Sequence, residues 1–131
     1  MRAPRPLLLL LAGAVACGGT SADAPADPAA PVPFVPPAWY AGAYASLQQC
    51  SGLSGDFSRI SWYVVQGTRV PDPDPGGYAA AVTFPAEHRI VIASFYASDT
   101  VVVRHEMMHD LAQTTTHPLQ WFDAWCGNLM P

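Results

Sequence analysis

Two histidines and a glutamate within five positions are the residues of this chain best spaced to do chemistry together. His105 and His109 lie four residues apart, and Glu106 directly follows the first histidine. On an α-helix, positions four apart differ by only about 40° and one turn, so both imidazoles would project from one face. Imidazole is a preferred zinc ligand, and a neighbouring carboxylate can act as a general base on water. The pattern predicts metal-assisted hydrolysis, provided that this segment is helical.

The residues around the motif favour a helix from about 100 to 113. Asp99 is a good N-cap residue, and the apolar run 101–103 begins a segment that can be buried. Three consecutive valines are mediocre helix formers, so we expect packing to stabilise this helix more than intrinsic propensity does. The residue before Pro118 avoids the α region, which ends the helix by His117.

The motif and its flanks resemble the active-site helix of the zincins, the metallopeptidases with an H-E-x-x-H zinc signature. The resemblance covers about a dozen residues closely. Asp110 departs from the family pattern, because that position is usually uncharged. The resemblance implies a Zn²⁺ cofactor held by His105 and His109, Glu106 as general base for a zinc-bound water, and a peptide or protein substrate. The apolar positions of the extended pattern are matched by Val102, Val103, Met107, Met108 and Leu111.

Catalytic zinc usually has three protein ligands and a water, so the two motif histidines need a partner elsewhere. The metzincins place a glycine and a third histidine after the motif, but this chain has Ala112 and Thr115 at those positions. The gluzincins use a downstream glutamate, and no glutamate follows Glu106. The third ligand is therefore expected to be another histidine or an aspartate.

His117 is the first choice for the third ligand, because it lies at the break after the motif helix, where the chain can turn back. Asp123, in the last helix, is the second choice, and His88, in a turn between strands, is the third. Asp110 is a different case, since its position on the helix is about 100° from that of His109. We expect its carboxylate to hydrogen-bond a ligand imidazole instead of binding the ion.

The rest of the domain has the patterning of two further helices and three strands. Segments 38–49 and 118–126 are predicted to be helical, and segments 60–66, 78–84 and 89–94 to be strands. We expect an α+β fold with an N-terminal helix, about three mostly antiparallel strands, the motif helix and a short C-terminal helix. This order is similar to that of a minimal zincin-like domain. The resemblance implies that the sheet packs on the active-site helix and that its edge strand can bind an extended peptide.

The first 37 residues are expected to serve export and attachment. Residues 1–16 carry two arginines and then an apolar stretch too short to span a bilayer, as in a signal peptide. The residues before Cys17 resemble a bacterial lipobox, which implies cleavage there and lipidation of Cys17, although an ordinary A-x-A cleavage site fits them too. The Pro/Ala-rich segment 17–37 is predicted to be a disordered tether. The domain then spans 38–131, in an exported protein that is lipid-anchored to the membrane of the bacterial cell envelope.

The three cysteines agree with this arrangement. If Cys17 is lipidated, Cys50 and Cys126 remain as an even pair. Export implies an oxidising compartment, in which paired cysteines persist as disulfides. We therefore expect a disulfide between Cys50 and Cys126.

The charge of the chain excludes nucleic acid as a partner. Without residues 1–16, four arginines stand against ten acidic residues, a net charge of −6, and the chain has no lysine. A nucleic-acid-binding protein needs a basic face to neutralise phosphates.

Three functions remain. The leading hypothesis is a zinc-dependent hydrolase, most consistent with a peptidase. The alternative is a catalytically inactive zincin-like domain that binds a metal or a partner, because a domain this small leaves little room for the second half of a cleft. In the third, the motif is accidental and the domain is a structural module stabilised by its disulfide.

Overall fold

A computed structural model of the chain describes residues 29–73 and 76–130. The predicted signal peptide, the predicted lipidation site Cys17 and the first part of the predicted tether lie outside the described residues. Within the described part of the chain, no helix is long and apolar enough to cross a membrane. The described residues form an α+β domain, as the sequence predicts.

The sheet has four strands rather than the three expected, and a separate two-stranded hairpin accompanies it. The strands are β1 (Val32–Pro33), β2 (Ser61–Val65), β3 (Val70–Pro71), β4 (Tyr78–Ala79), β5 (Ala81–Phe84) and β6 (Arg89–Ala93). Strand order across the sheet is β1-β2-β6-β5, and β3 pairs with β4 in the hairpin.

Strand β1 corrects the predicted disordered tether. Val32 pairs with Val64 and Pro33 with Tyr63, antiparallel to β2. A proline is tolerated here because β1 is an edge strand, where a missing N–H can face outward. The ordered part of the domain therefore begins before residue 38.

The sheet is mixed, which corrects the expectation of mostly antiparallel pairing. Strands β5 and β6 form the antiparallel hairpin that the sequence suggests, through a 3₁₀ turn at Pro85–Glu87. Strands β2 and β6, however, pair in parallel. The chain makes a long connection between them through the β3–β4 hairpin and β5. Alternation of apolar residues predicts that a segment is a strand, but not whether its neighbour in the sheet is parallel.

The described residues also form two α-helices, at Trp39–Ser51 (α1) and Thr100–Ala112 (α2), and a π-helix at Gln120–Trp125. Short 3₁₀ turns lie at Phe57–Arg59, Pro85–Glu87 and Ser94–Tyr96. The motif helix α2 matches its predicted span. It begins as expected at Asp99, whose carboxylate accepts hydrogen bonds from the N–H groups of Val101 and Val102 at 2.9 and 3.1 Å. The C-terminal helix is shorter than predicted and has π geometry, a form often found at functional sites.

Helices α1 and α2 bury their apolar faces against one face of the sheet. Tyr40, Tyr44 and Leu47 of α1 join Met107 and Met108 of α2 in one buried cluster with sheet residues. Burial of this apolar surface supplies the packing that a valine-rich helix needs. The valine run of α2 is thereby accommodated as helix instead of strand.

The predicted disulfide is present. Cys50, near the end of α1, is bonded to Cys126, directly after the π-helix, with a Cα–Cα distance of 5.2 Å. Such bonds persist in oxidising environments and are rare in the cytosol. The disulfide thus indicates a protein that works outside the cytoplasm.

Candidate metal centre

The side chains of His105, His109 and His117 converge on one point. The Nε2 atom of His105 lies 3.0 Å from Nε2 of His109 and 3.1 Å from Nε2 of His117. Two nitrogens bound to one tetrahedral zinc, each about 2.0–2.1 Å from the metal, would lie about 3.3 Å apart. Both observed distances are close to this value, and the possible ligand atoms of all three imidazoles lie within 4.8 Å of one another, so the group could hold one metal ion.

The hydrogen bonds of the other ring nitrogens determine which tautomer is present. Nδ1 of His105 lies 2.7 Å from the carbonyl oxygen of Leu129, and Nδ1 of His109 lies 2.9 Å from that of Thr114. A carbonyl oxygen only accepts, so each Nδ1 must carry the hydrogen and donate it. In the neutral rings, both Nε2 atoms then present lone pairs to each other at 3.0 Å.

Two lone pairs at that distance cannot hydrogen-bond each other and repel, and a cation bound between them would remove that repulsion. The protein therefore has a donor set suited to a metal ion, with the ring orientation of two ligands set by backbone carbonyls. Burial, together with the neighbouring His105, lowers the pKa of His109 to about 4. Burial also lowers the pKa of His105. Both rings are consequently neutral near pH 7, the state in which imidazole binds metals.

A reversal of the chain at the end of α2 brings His117 to the two motif histidines. Gln113 has a positive φ of 51°, and its N–H donates to the carbonyl oxygens of Asp110 and His109. The N–H of Thr114 also donates to the carbonyl oxygen of His109, at 3.2 Å. This tight C-cap folds the next residues back over the last turn, so His117 reaches a site that the helix alone cannot complete.

Glu106 lies beside the three histidines with its side chain nearly enclosed, at 6% exposure. Its Oε2 accepts a hydrogen bond of 2.7 Å from the hydroxyl of Thr83 on β5. The pKa of Glu106 is raised to about 7, chiefly by burial; the hydrogen bond from Thr83 lowers this pKa, and the negative charge of Asp72 raises it. A carboxyl group with a pKa near the working pH can both take and return a proton.

A cleft of about 520 Å³ opens over these groups. One wall is formed by strand β5 and the residues before it, and the other by the segment after α2. Strand β5 is at the edge of the sheet. Asp72 and Pro73 contribute to the rim.

Two residues of β5 direct their backbone N–H and C=O groups to the open edge of the sheet. The N–H of Ala93 donates to the carbonyl oxygen of Ala80 at 2.9 Å, which places these two residues opposite each other in a hydrogen-bonded pair. Hydrogen-bonded and non-bonded pairs alternate along an antiparallel ladder. Ala81 and Thr83 are therefore in non-bonded pairs, and their N–H and C=O groups point away from β6, towards the open edge.

The structure distinguishes among the three candidates for the third ligand. His117 joins the cluster, whose possible ligand atoms all lie within 4.8 Å of one another. Asp123 is exposed on the π-helix and is outside this cluster. His88 is also outside it, because its Nδ1 lies 2.8 Å from a carboxylate oxygen of Asp110.

The expectation that Asp110 bonds a ligand imidazole is wrong. Its side chain is buried, with 2% exposure, and its two oxygens contact His88 and the hydroxyl of Tyr44, the latter at 3.2 Å. Asp110 therefore links α2 to α1 and to the turn between β5 and β6. The roughly 100° that separates it from His109 on the helix points its side chain to a different side of α2.

Three contributors to the site were not identified from the sequence. Two are the backbone carbonyls of Leu129 and Thr114, which cannot be recognised from the sequence because every residue has a carbonyl. The third is Thr83, which the sequence identified only as part of a predicted strand. Phe122 was expected in the core and is fully buried there, with its ring centroid 5.1, 4.7 and 5.0 Å from those of the three imidazoles.

Comparison with protein-family models, with curated proteins and with solved structures found no match. The function is therefore inferred from the geometry and chemistry of the site itself.

Proposed function

We propose that this protein is a zinc-dependent hydrolase that cleaves peptide bonds. The observation that carries the proposal is the convergence of three imidazole nitrogens next to a buried carboxylate, at the base of an open cleft. Three imidazole nitrogen ligands with an open fourth position form a usual donor set of catalytic zinc. When bound, zinc would supply a Lewis acid that lowers the pKa of water and polarises a substrate carbonyl.

The chain's own residues have separable roles in this proposal. His105, His109 and His117 hold the ion. Glu106 takes a proton from the attacking water and returns it to the leaving amine, and its pKa near neutrality suits both steps. Thr83 holds one carboxylate oxygen of Glu106, which leaves the other available to water.

A peptide is the favoured substrate because the cleft is bounded by an open strand edge. An extended chain can add to β5 through the outward N–H and C=O groups of Ala81 and Thr83. Alanines at positions 79–81 make this wall of the cleft low, so a substrate backbone can approach closely. This contact would place a scissile carbonyl within reach of Glu106.

We also propose that the domain works at the bacterial cell envelope, attached through a lipid on Cys17. The disulfide supports an oxidising location. Metabolic labelling with a radioactive fatty acid tests the anchor: the intact chain should incorporate label, and the Cys17→Ala chain should not. Equal labelling of both chains would exclude this anchor.

Zinc content tests the metal centre. The oxidised, full-length protein should bind one zinc per chain, and His117→Ala should weaken that binding. Asp123→Ala is the matched control, because Asp123 is the second candidate for the third ligand from the sequence and is exposed on the π-helix. Loss of zinc on Asp123→Ala but not on His117→Ala would contradict the proposed ligand set.

Hydrolysis of a quenched-fluorescence peptide library tests catalysis. Glu106→Gln should keep zinc and lose activity by about 10²-fold or more. The chain has one other glutamate, Glu87, which pairs with Arg89 at 2.8 Å on the surface, so Glu87→Gln is the control and should stay active. Activity that survives in Glu106→Gln would refute the mechanism. A wild type that binds zinc but cleaves no peptide would point instead to a non-catalytic zincin-like binding domain.

A further inference from the structure

The last residues of the domain form a closed loop over the metal centre. We call residues 122–129 the C-terminal strap. Its two ends are joined directly, because the N–H of Leu129 donates to the carbonyl oxygen of Phe122 at 2.8 Å. Phe122 and Leu129 are both fully buried, so the strap is part of the folded domain and not a loose tail.

Both ends of the strap contact the proposed metal ligands. The carbonyl oxygen of Leu129 accepts the hydrogen bond from Nδ1 of His105, which orients the ring and fixes its tautomer. The ring of Phe122 packs against His105, His109 and His117 at centroid distances of 4.7–5.1 Å. The strap thus supplies both a hydrogen-bond acceptor and an apolar backing to the site.

The middle of the strap is held by two connections to the rest of the domain. Cys126 is bonded through its sulfur to Cys50 at the end of α1. The carbonyl oxygen of Cys126 accepts a hydrogen bond of 2.7 Å from the guanidinium of Arg104. Arg104 directly precedes His105, so the same strap residue is tied both to α1 and to the helix that carries the motif.

The other motif histidine does not depend on the strap for its hydrogen bond. Nδ1 of His109 donates to the carbonyl oxygen of Thr114, only five residues further along the chain. That bond is formed within the C-cap of α2. A change in the strap should therefore affect the orientation of His105 more than that of His109.

We propose that the C-terminal strap is the positioning element of the metal centre, and that the Cys50–Cys126 disulfide sets the metal affinity through it. This inference rests on the proposed three-histidine site. Without the disulfide, the strap can move away from His105, which then loses its acceptor at Leu129. Loss of such a partner of a ligand imidazole typically weakens metal binding 10- to 100-fold.

The consequence is that the protein gains full metal affinity only after oxidation. The two thiols would pass two electrons and two protons to a disulfide oxidant by thiol–disulfide exchange, and the new S–S bond would fix the strap. Reduced chains in the cytoplasm would then compete poorly for zinc. By linkage, bound metal makes the disulfide harder to reduce by the same factor.

Zinc affinity of the oxidised full-length chain, measured by competition with a chromophoric chelator, tests the proposal against the Cys50→Ser/Cys126→Ser double variant. We expect the double variant to bind zinc 10- to 100-fold more weakly. Equal affinity in a folded double variant would overturn the inference and leave the metal site itself intact. Absence of zinc from the oxidised wild type would overturn both the inference and the proposed function.

A second variant covers the case in which the double variant does not fold. Arg104→Met keeps the disulfide and removes only the hydrogen bond to the strap, and we expect a several-fold loss of zinc affinity. Arg69→Met is the matched control, because Arg69 stacks 4.2 Å from the ring centroid of Tyr78 in the β3–β4 hairpin. Unchanged affinity in Arg104→Met, beside an unfolded double variant, would overturn the proposal.

Histidine ¹⁵N NMR of the metal-free protein supplies a readout that a general loss of stability would not produce. In the wild type, both His105 and His109 should show protonated Nδ1. In Arg104→Met, His105 should become a mixture of tautomers while His109 keeps its protonated Nδ1. Identical spectra of His105 in the two proteins would contradict a positioning role for the strap.

Discussion

We expect the buried carboxylate of Glu106, the proposed general base, to lower the free energy of unfolding of the metal-free protein. Glu106→Gln should restore it. Burial raises the pKa of Glu106 from an ordinary value of 4.5 to about 7. Above pH 7 the carboxylate is charged in both the folded and the unfolded states, but only the folded state has to bury that charge. A pKa difference of roughly 2.5 pH units, at about 1.4 kcal/mol per unit, corresponds to about 3 kcal/mol.

The pH dependence of this effect has a definite sign. Because the folded-state pKa is the higher one, the folded protein binds more protons between pH 4.5 and about 7. The contribution of Glu106 to stability is therefore greatest below pH 4.5 and is lost as the pH rises to 7. Glutamine has nearly the same shape and never ionises, so the variant avoids the loss. We expect Glu106→Gln to match the wild type near pH 4 and to exceed its free energy of unfolding by about 3 kcal/mol at pH 8.

Urea unfolding measures this difference directly. Wild type and Glu106→Gln are compared with the disulfide intact, in the presence of EDTA, at several pH values from 4 to 8. The difference between the two proteins removes the contributions of the histidines, which titrate in both. Glu87→Gln, on the surface, should change stability by less than about 0.5 kcal/mol at every pH. A Glu106→Gln gain below about 1 kcal/mol at pH 8, or a gain that persists undiminished at pH 4, would contradict a raised pKa of Glu106 in the folded protein.

Three further predictions concern the neighbourhood of the site. Thr83→Val removes a hydrogen bond to a charged group, worth about 1.5–3 kcal/mol, and should raise the pKa of Glu106 by about one to two pH units. The pKa is measured by ¹³C NMR of the glutamate carboxyls, and Thr83→Ser should leave it near the wild-type value. An unchanged pKa in the valine variant would contradict the role of this hydrogen bond. His109 has a folded-state pKa of about 4, below its ordinary 6.5, so the unfolded chain binds more protons in this range. The metal-free wild type should therefore lose more stability than His109→Gln between pH 6.5 and 4, and equal losses on urea unfolding would count against the lowered pKa. A Cβ at Gly55 would collide with buried side chains, whereas one at Gly42 meets nothing within 4 Å. Gly55→Ala should thus destabilise the protein by about 1–3 kcal/mol, whereas Gly42→Ala, in a helix, should stabilise it by about 0.5–1 kcal/mol. Thermal unfolding measures both, and a Gly55→Ala protein more stable than the Gly42→Ala protein would contradict the close packing around Gly55.

The local features of the site could be predicted from the sequence, because they depend on residues close together along the chain. The spacing of His105 and His109 determines their shared face once the segment is helical, and Asp99 marks the start of that helix. His117 lies just beyond the helix end, so a short reversal is enough to bring it back. The disulfide could also be predicted, since Cys50 and Cys126 are the single pair that remains if Cys17 is lipidated as the sequence suggests.

The remaining features depend on contacts between distant segments, and residue patterns do not specify those. Parallel pairing of β2 with β6 and the addition of β1 result from how the whole sheet assembles. Asp110 had a plausible partner among its helical neighbours, but its partners are His88 and Tyr44, which lie 22 and 66 positions away.

The backbone acceptor of His105 in the candidate metal centre also depends on a contact between distant segments. Any residue has a carbonyl group, so nothing in the sequence marks Leu129 as the partner of His105. Only the closure of the strap brings that carbonyl to the imidazole. The residue types and spacing limited the possible metal ligands to His105, His109 and three candidates for a third ligand. The folded chain brings His117 to the other two histidines and orients the rings, because orientation depends on hydrogen bonds and packing between elements that are far apart in the chain.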